Sequence, residues 1–303
     1  MKRLPSITAS LLLAITLTGD RARSAQEEDV AGEVATFYHF NGTKARSGRL
    51  VDGRRDGEWR GWHDNGNPHY VGRFENYRAV GEWTFYTVDG VKESRGELDG
   101  SVRIGSWTYW HPSAEKASEG TYVDGQRQGE WSVWHPSGAF GSKIHYVDDK
   151  EQGSVVMFHE NGEKKAEGAY ERGKQVGPWK TYHESGAPES EGSFGEGVEA
   201  GDWRYWHPDG QLKAEGRYAQ GAMAGAWVTY HANGQKESQG TYRRGQRHGE
   251  WQFWWPNGQK RSEGSYLRDQ PHGEWRAWTR DGEVNAKLTG TYNQGDKVDG
   301  GGA

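Results

Sequence analysis

Residues 249–266 read GEWQFWWPNGQKRSEGSY, and this stretch decides the fold. It sets a Trp, a second aromatic three residues later, an Asn-Gly pair, and a Gly-x-Tyr beginning six residues after that Gly. The same order recurs along the chain: Trp59, Trp83, Trp107, Trp131, Trp179, Trp203, Trp227, Trp251 and Trp275 are spaced by 24 or, once, by 48. Ala35 and Val155 occupy the two vacant places on this period, and no insertion interrupts it from Ala35 to Trp275. The second aromatic is present in all eleven copies, as Tyr38, Trp62, Tyr86, Trp110, Trp134, Phe158, Tyr182, Trp206, Tyr230, Trp254 and Trp278. The unit is G-x-W-x-x-W-H-x-N-G-x5-G-x-Y-x-x-G-x3. A period of this size marks a stacked array of one supersecondary element.

The spacing converts to geometry. Asn-Gly and Asp-Gly between aromatic, Thr-rich runs signal a β-hairpin, with the type I′ turn placing both central residues at positive φ. A weaker turn signal follows each Tyr, at Asp52-Gly53, Asp124-Gly125, Arg172-Gly173, Gln220-Gly221 and Arg244-Gly245. Two such turns and two strands of about ten residues fill the period, so the chain is expected to be all-β, an antiparallel meander of about eleven hairpins. Recurrent Gly and the absence of a 3.6-residue period exclude helix. Pairing across the Asn-Gly turn puts Trp227 opposite Gly240 and Gly225 opposite Tyr242, so each large ring is expected to cover a glycine of its own hairpin. The same regular register puts Lys213 opposite Trp206 and Arg261 opposite Trp254. The last copy carries a two-residue insertion near Val284 to Leu288. With the degenerate first copy, Glu33 to Gly53, it fits a capping role.

Composition agrees with a thin repeat sheet. Among 303 residues there are 46 Gly, 16 Trp and no Cys, with 32% hydrophobic residues and a mean hydropathy of -1.06. That is too polar for two ordinary cores and, at 13% aromatic, too aromatic for disorder. Fifteen of the 16 Trp fall at two positions of the unit, so the Trp content is mostly architecture. Lack of Cys removes disulfides, thiol nucleophiles and Cys-ligated zinc. The run Ile7 to Leu17, preceded by Lys2 and Arg3, reads as the apolar core of a secretory signal peptide and is too short to span a membrane. Residues 1–25 are therefore read as a leader, 26–30 as a linker, 31–295 as repeats and 296–303 as a disordered Gly-rich tail, with export to the periplasm or exterior of a bacterium. Loss of the leader would take the formal charge from -5 to -8. An acidic balance argues against nucleic acid and anionic membrane as partners.

These motifs resemble the variant MORN repeat, the bacterial form found in tandem in YwqK-type antitoxin-family proteins. The resemblance covers about residues 31–295. It implies an elongated array of β-hairpins used for protein contact or, in some eukaryotic members, membrane contact. The expected function is that of a non-catalytic scaffold binding an unidentified protein outside the cytoplasm. An antitoxin or immunity protein is the first alternative, and cell-surface glycan binding by the aromatic rows is the second.

Candidate chemistry is sparse. His39, His63, His111, His135, His159, His183, His207 and His231 share one repeat position. Equivalent residues of successive hairpins are two strands, or about 10 Å, apart. Two imidazoles on one zinc each need a nitrogen within about 2.1 Å of it. The His row is therefore read as packing and hydrogen bonding at the strand end, and no metal or cofactor is expected. Recurrent Glu residues, before Trp (Glu58, Glu82, Glu130, Glu250, Glu274) and before Gly (Glu119, Glu167, Glu191, Glu215, Glu263), lack the single distinctive pocket that acid–base catalysis requires. No catalytic residues are assigned. The candidate partner-binding row is the second aromatic: Tyr86, Trp110, Trp134, Phe158, Tyr182, Trp206, Tyr230 and Trp254. An offset of three turns it away from the first Trp, where it serves either as a platform or as packing under Lys and Glu stems.

Overall fold

The computed structural model describes residues 32–298, and every regular element among them is a strand. The leader and the linker at 26–30 lie outside the described residues, as do residues 299–303 of the tail. Two compact units are present: the residues up to Ala114 with Tyr122–Gln126, and Glu115–Thr121 with the residues from Arg127 onward. Within the first, strands from Val34–Tyr38 to Val102–Trp110 pair antiparallel in sequence order. Within the second, those from Phe140–Val147 to Asp296–Val298 follow the same meander.

One hairpin serves for all. The Trp-bearing strand Ala222–Tyr230 pairs with the Gly-bearing strand Lys236–Arg243, with Trp227 opposite Gly240 and Gly225 opposite Tyr242 as expected. The turns differ from expectation. At the Asn-Gly signal the loop is longer than two residues: Gly234 N–H donates to His231 C=O at 2.9 Å and His231 N–H to Gln235 C=O at 2.8 Å. Only Gly234 takes a positive φ, +81°. This is a type I turn closed by a Gly bulge, the three-residue hairpin loop, not type I′. The weaker signal marks the tight turn instead, since Gln220 and Gly221 are both at positive φ, 53° and 75°. Asn233 explains the longer loop. Its Oδ1 accepts from Gln235 N at 3.2 Å while its Nδ2 donates to Pro256 C=O of the next repeat at 2.6 Å, which a tight turn could not arrange.

The covered glycine is also different. Trp227 lies in register between two glycines, Gly216 before it and Gly240 after it, and its ring covers Gly216. A methyl group on Gly216 would overlap the indole carbons, and the same holds for the glycine eleven residues before each of the other eight Trp. The cause is a bulge. Pairing shifts between Gly216 and Arg217, where Gly225 and Ala226 are extra, and Gly225 takes a φ of +68° to accommodate it. Arg217 C=O then accepts from the indole Nε1–H of Trp227 at 3.1 Å. The bond to the carbonyl ten residues back recurs at Trp59, Trp107, Trp131, Trp179, Trp203, Trp251 and Trp275, whereas Trp83 Nε1 is buried without a partner. The ring is thus pinned backwards, onto the preceding hairpin.

These rings form the core. Trp227 meets Tyr218 edge-on at 5.2 Å and Tyr242 at 6.2 Å, and stacks with Tyr205 at 6.4 Å. Further along, Trp251 and Trp275 alternate with Tyr242, Tyr266 and Tyr292, and Phe253 is stacked between the two indoles. The first unit has the same arrangement in Trp59, Phe74, Trp83, Phe85 and Trp107. All nine Trp of this row are buried. Each buried side chain contributes about 1.5–3 kcal/mol.

Where the row is broken, its neighbours compensate by volume. Val155 replaces Trp, and Ile144 stands eleven residues before it where Gly would be; both are 3% exposed. Gly61 replaces the aromatic found two residues after Trp at Phe85 or Phe253, and its partner is Tyr70 where other hairpins have Ser94 or Ser262. At the C-terminal end the chain stack finishes under Lys297, whose stem lies over Gly290 and whose Nζ donates to Ala286 C=O at 3.2 Å and Lys287 C=O at 3.3 Å. Those carbonyls belong to the inserted turn. Asp296–Val298, read as the start of the tail, is a short strand paired with the Gly290–Asn293 strand through a turn at Gln294 and Gly295, both at positive φ.

The Ile144 and Val155 pair can be transplanted. Trp227→Val should cost about 3–5 kcal/mol, and Gly216→Ile should be destabilising by overpacking. The double variant should be more stable than the sum of the two losses by about 0.5–3 kcal/mol in urea unfolding. Simple additivity would show that the indole and glycine are not directly coupled.

Candidate interaction surface

The second aromatic row is half-buried throughout: Tyr86, Trp110, Trp134, Phe158, Tyr182, Trp206, Tyr230 and Trp254 are neither core nor fully exposed. The pairing beneath them is shifted by one residue from the regular register. A bulge between Tyr205 and Trp206 puts Leu212, not Lys213, opposite Trp206, and one between Phe253 and Trp254 puts Lys260, not Arg261, opposite Trp254. It follows from the longer loop, which takes its extra residue from the strand end.

Cations cover several of these rings. Lys92 Nζ lies 5.8 Å from the Trp110 centroid, Lys116 4.8 Å from Trp134, Lys164 6.0 Å from Tyr182 and Lys236 5.7 Å from Trp254. Each Lys comes from the Gly-bearing strand of the preceding hairpin. Two of these strands also tie Lys to the Glu three residues on, Lys164–Glu167 at 2.9 Å and Lys116–Glu119 at 2.7 Å, as does the later strand with Lys260–Glu263 at 2.5 Å. Tyr182 O–H donates to Glu167 at 2.6 Å and Tyr230 O–H to Glu215 at 3.3 Å. The bond from Tyr182 is the main reason that the Glu167 carboxyl titrates below its ordinary range, with Lys164 adding to it. Burial first, then Glu167, pushes the Tyr182 phenol up to about 12.

The His row explains why the aromatics are held so regularly. His39, His63, His135, His159, His183, His207 and His231 each direct Nε2 to the backbone carbonyl of the second aromatic in the following repeat, at 2.8 to 3.3 Å. A carbonyl only accepts, so the Nε2–H tautomer donates. Trp255 replaces His and does the same through Nε1 to Trp278 C=O at 3.3 Å. Among the described residues no group of three or more His, Asp or Glu is placed to hold a metal.

A second constellation went unnoticed in the sequence. Arg55, Arg103, Arg127 and Arg247 stand four residues before Trp positions, on the edge of the buried aromatic stack. Arg127 lies 4.0 Å from the Tyr146 centroid and Arg247 3.9 Å from that of Tyr266. Each also donates Nε to an Asp in a turn, Asp149 at 3.0 Å and Asp269 at 3.1 Å. These Asp residues replace the Gly of the tight turn and keep its positive φ, 65° and 68°. The signal was an Asp for Gly 22 residues after an Arg, which only an alignment of the repeats by register exposes. Burial, partly offset by the Arg127 cation, pushes the Tyr146 phenol up to about 12, and burial does the same at Tyr170.

Two pH effects follow. A phenol held above its ordinary value of 10 stabilises the fold fully below that pH and loses the contribution as pH rises through its folded value. Stability should therefore drop between pH 10 and about 12 as Tyr146, Tyr170 and Tyr182 ionise, read by tyrosinate absorbance beside circular dichroism. Tyr182→Phe should raise the Glu167 titration toward that of an ordinary carboxyl in side-chain carbon NMR; an unchanged midpoint would assign the lowering to Lys164 alone.

The MORN repeat variant family matches residues 55–76, 175–195, 200–220, 223–244 and 247–267. Each match spans one hairpin, from three or four residues before Trp to the end of the Gly-bearing strand or the tight turn after it. No curated protein matches the chain. Among solved structures, the TcdB2-TccC3 crystal structure is 10% identical over 80% of this chain and 16% of its own, with a TM-score of 0.19. The same complex without its hypervariable C-terminal region is 11% identical over 82% and 16%, also at 0.19. The TcdB2-TccC3-Cdc42 complex is 11% identical over 84% and 22%, at 0.12. The chain thus spans less than a quarter of the chains it matches. Five hairpins of the chain are thus MORN-variant repeats, and the other hairpins share their spacing.

Proposed function

We propose that the chain is a non-catalytic scaffold that binds another protein outside the cytoplasm, through the face that carries the second aromatic row. MORN-variant repeats are generally binding scaffolds and typically not enzymes. The observation that carries the proposal is the repetition of a polar dressing on the second aromatic, a Lys over Trp110, Trp134, Tyr182 and Trp254 and a Glu accepting from Tyr182 and Tyr230, on a sheet whose other face is filled by the Trp stack. Repetition spreads chemical groups along a surface where catalysis would converge them. It also gives a partner several equivalent contacts. Lys cations over the ring faces favour a protein partner with its own charges over a sugar, which stacks on an open ring.

Exposed charged residues flanking the row test the face. Lys180 and Arg204 are exposed neighbours of Tyr182 and Trp206. The partner is first recovered by native co-purification from the extracytoplasmic fraction of the host. Lys180→Glu with Arg204→Glu should then weaken its binding about tenfold or more, roughly 1.4 kcal/mol. Arg244→Glu with Arg268→Glu, at the tight turns, should leave binding unchanged. Equal effects from both pairs would place the contact elsewhere. Export is checked by the N-terminal residue of the protein in that fraction: a chain still beginning at Met1 and confined to the cytoplasm would refute it.

A further inference from the structure

The outermost strand of the first unit, Val34–Tyr38, reads VATFY. It pairs on one side with Lys44–Val51, and among the described residues no strand lies on the other side. Sheet edges are normally blunted by charge, Pro, a bulge or shortness, because their free N–H and C=O groups recruit other strands. The strand Asp296–Val298 at the end of the described chain is three residues long and carries both Asp and Lys. Val34–Tyr38 has no charge and no Pro, its pairing is irregular only at its last residue, and all of its residues but Ala35 are β-prone. Three apolar side chains are exposed along it and just past it: Val34 at 73%, Tyr38 at 44% and Phe40 fully.

We propose that this edge pairs with the same edge of a second copy of the chain, two-fold symmetric and antiparallel, centred on Thr36. The side-chain pattern fits that occupant. In most hairpins of the array a large residue on the Trp face opposes a small one, as Trp227 opposes Gly216 and Phe253 opposes Ser262, with Trp131 against Ile144 and Phe85 against Tyr70 as exceptions. In the first copy the Trp position is Ala35, and two residues later comes Phe37. Centring on Thr36 sets Ala35 of each copy against Phe37 of the other, large on small again, with Val34 against Tyr38 on the opposite face. A further Gly-bearing strand of the repeat would not fit as well, because Ala35 offers no indole to cover its glycine. Backbone parity agrees: Leu50 N–H donates to Glu33 C=O, so alternation turns Val34 and Thr36 outward. A symmetric pair closes on itself and ends the edge.

The absence of Cys makes the register testable. In the purified full chain, Thr36→Cys places two thiols directly opposite across the two-fold axis, within disulfide reach. Val34→Cys alone places them four residues apart in register, about 13 Å. Under mild oxidation Thr36→Cys should run as a disulfide-linked dimer on a non-reducing gel and Val34→Cys as a monomer, while Val34→Cys with Tyr38→Cys should again cross-link. The unsubstituted chain should show a concentration-dependent rise toward twice its monomer mass by light scattering, abolished by Thr36→Pro. Two results would overturn the proposal: a monomer at every concentration with Thr36→Cys uncross-linked, as when the preceding residues or a different protein cover the edge, or equal cross-linking at both single-Cys positions.

Discussion

An indole lying on a glycine of the preceding hairpin is the contact on which this structure depends. It solves the problem of a sheet with one buried face and little apolar residue to bury. A ring can only lie flat against the backbone where no Cβ stands, so the glycine must be in register beneath it. At eight of the nine Trp the ring is also tied there by its N–H, which needs a carbonyl released from the ladder. The bulge at Gly225 does both at once for Trp227, freeing Arg217 C=O and turning the strand so that the ring points back over Gly216. Two glycines and one Trp are therefore a single device, and it links each hairpin to its predecessor rather than closing a hairpin on itself. Nearest-neighbour stabilisation of this kind is what lets a repeat array grow without a central core.

The opposite face is organised by the same direction of reach. His231 Nε2 crosses to Trp254 C=O and Asn233 Nδ2 to Pro256 C=O, each in the next repeat. The Trp contact runs backwards and the His and Asn contacts run forwards, so a hairpin such as the one with Trp227 is held by side-chain contacts to the hairpins on both sides of it. Regular spacing of the second aromatics is a result of this, because their backbone carbonyls are the acceptors. A partner binding that row would meet a surface whose order has been set by the scaffold before it arrives.

How much of this was readable in the sequence depends on the range of the interaction. Strand order, the pairing of Trp227 with Gly240 and the excess of Trp at two positions follow from a period of 24 and from alternation, which need no side-chain detail. The choice between Gly240 and Gly216 does not follow from these, since both lie opposite Trp227. It is decided by a bulge, and a bulge is a local trade between strand twist and hydrogen bonding that a residue pattern does not encode. The Asn-Gly turn departs from the two-residue form for a related reason. Asn-Gly is compatible with type I′, but here Asn233 is recruited by the next repeat and needs a loop that points its amide outward. The face of the second aromatic row was legible; the Lys cations above it depended on a one-residue shift at the strand end, as Leu212 and Lys260 show.

A strictly repeated surface cannot by itself specify one partner at one place, so specificity must come from copies that depart from the consensus. The departures are not scattered. Asp149 and Asp269 accept the strain of a positive φ that Gly would avoid, and each is held by an Arg that also stacks on a Tyr, five repeats apart. Tyr77 adopts the same backbone conformation and returns its hydroxyl to Gly53 C=O. Strain of this size, about 1–3 kcal/mol per residue, persists only where the surroundings fix it. The fixing Arg stands at the start of the hairpin whose closing turn holds the Asp, while Tyr77 is fixed by the preceding tight turn. The aromatic stack supplies stability in excess at each repeat, and these positions are where the chain uses some of it to make one repeat distinguishable from the next.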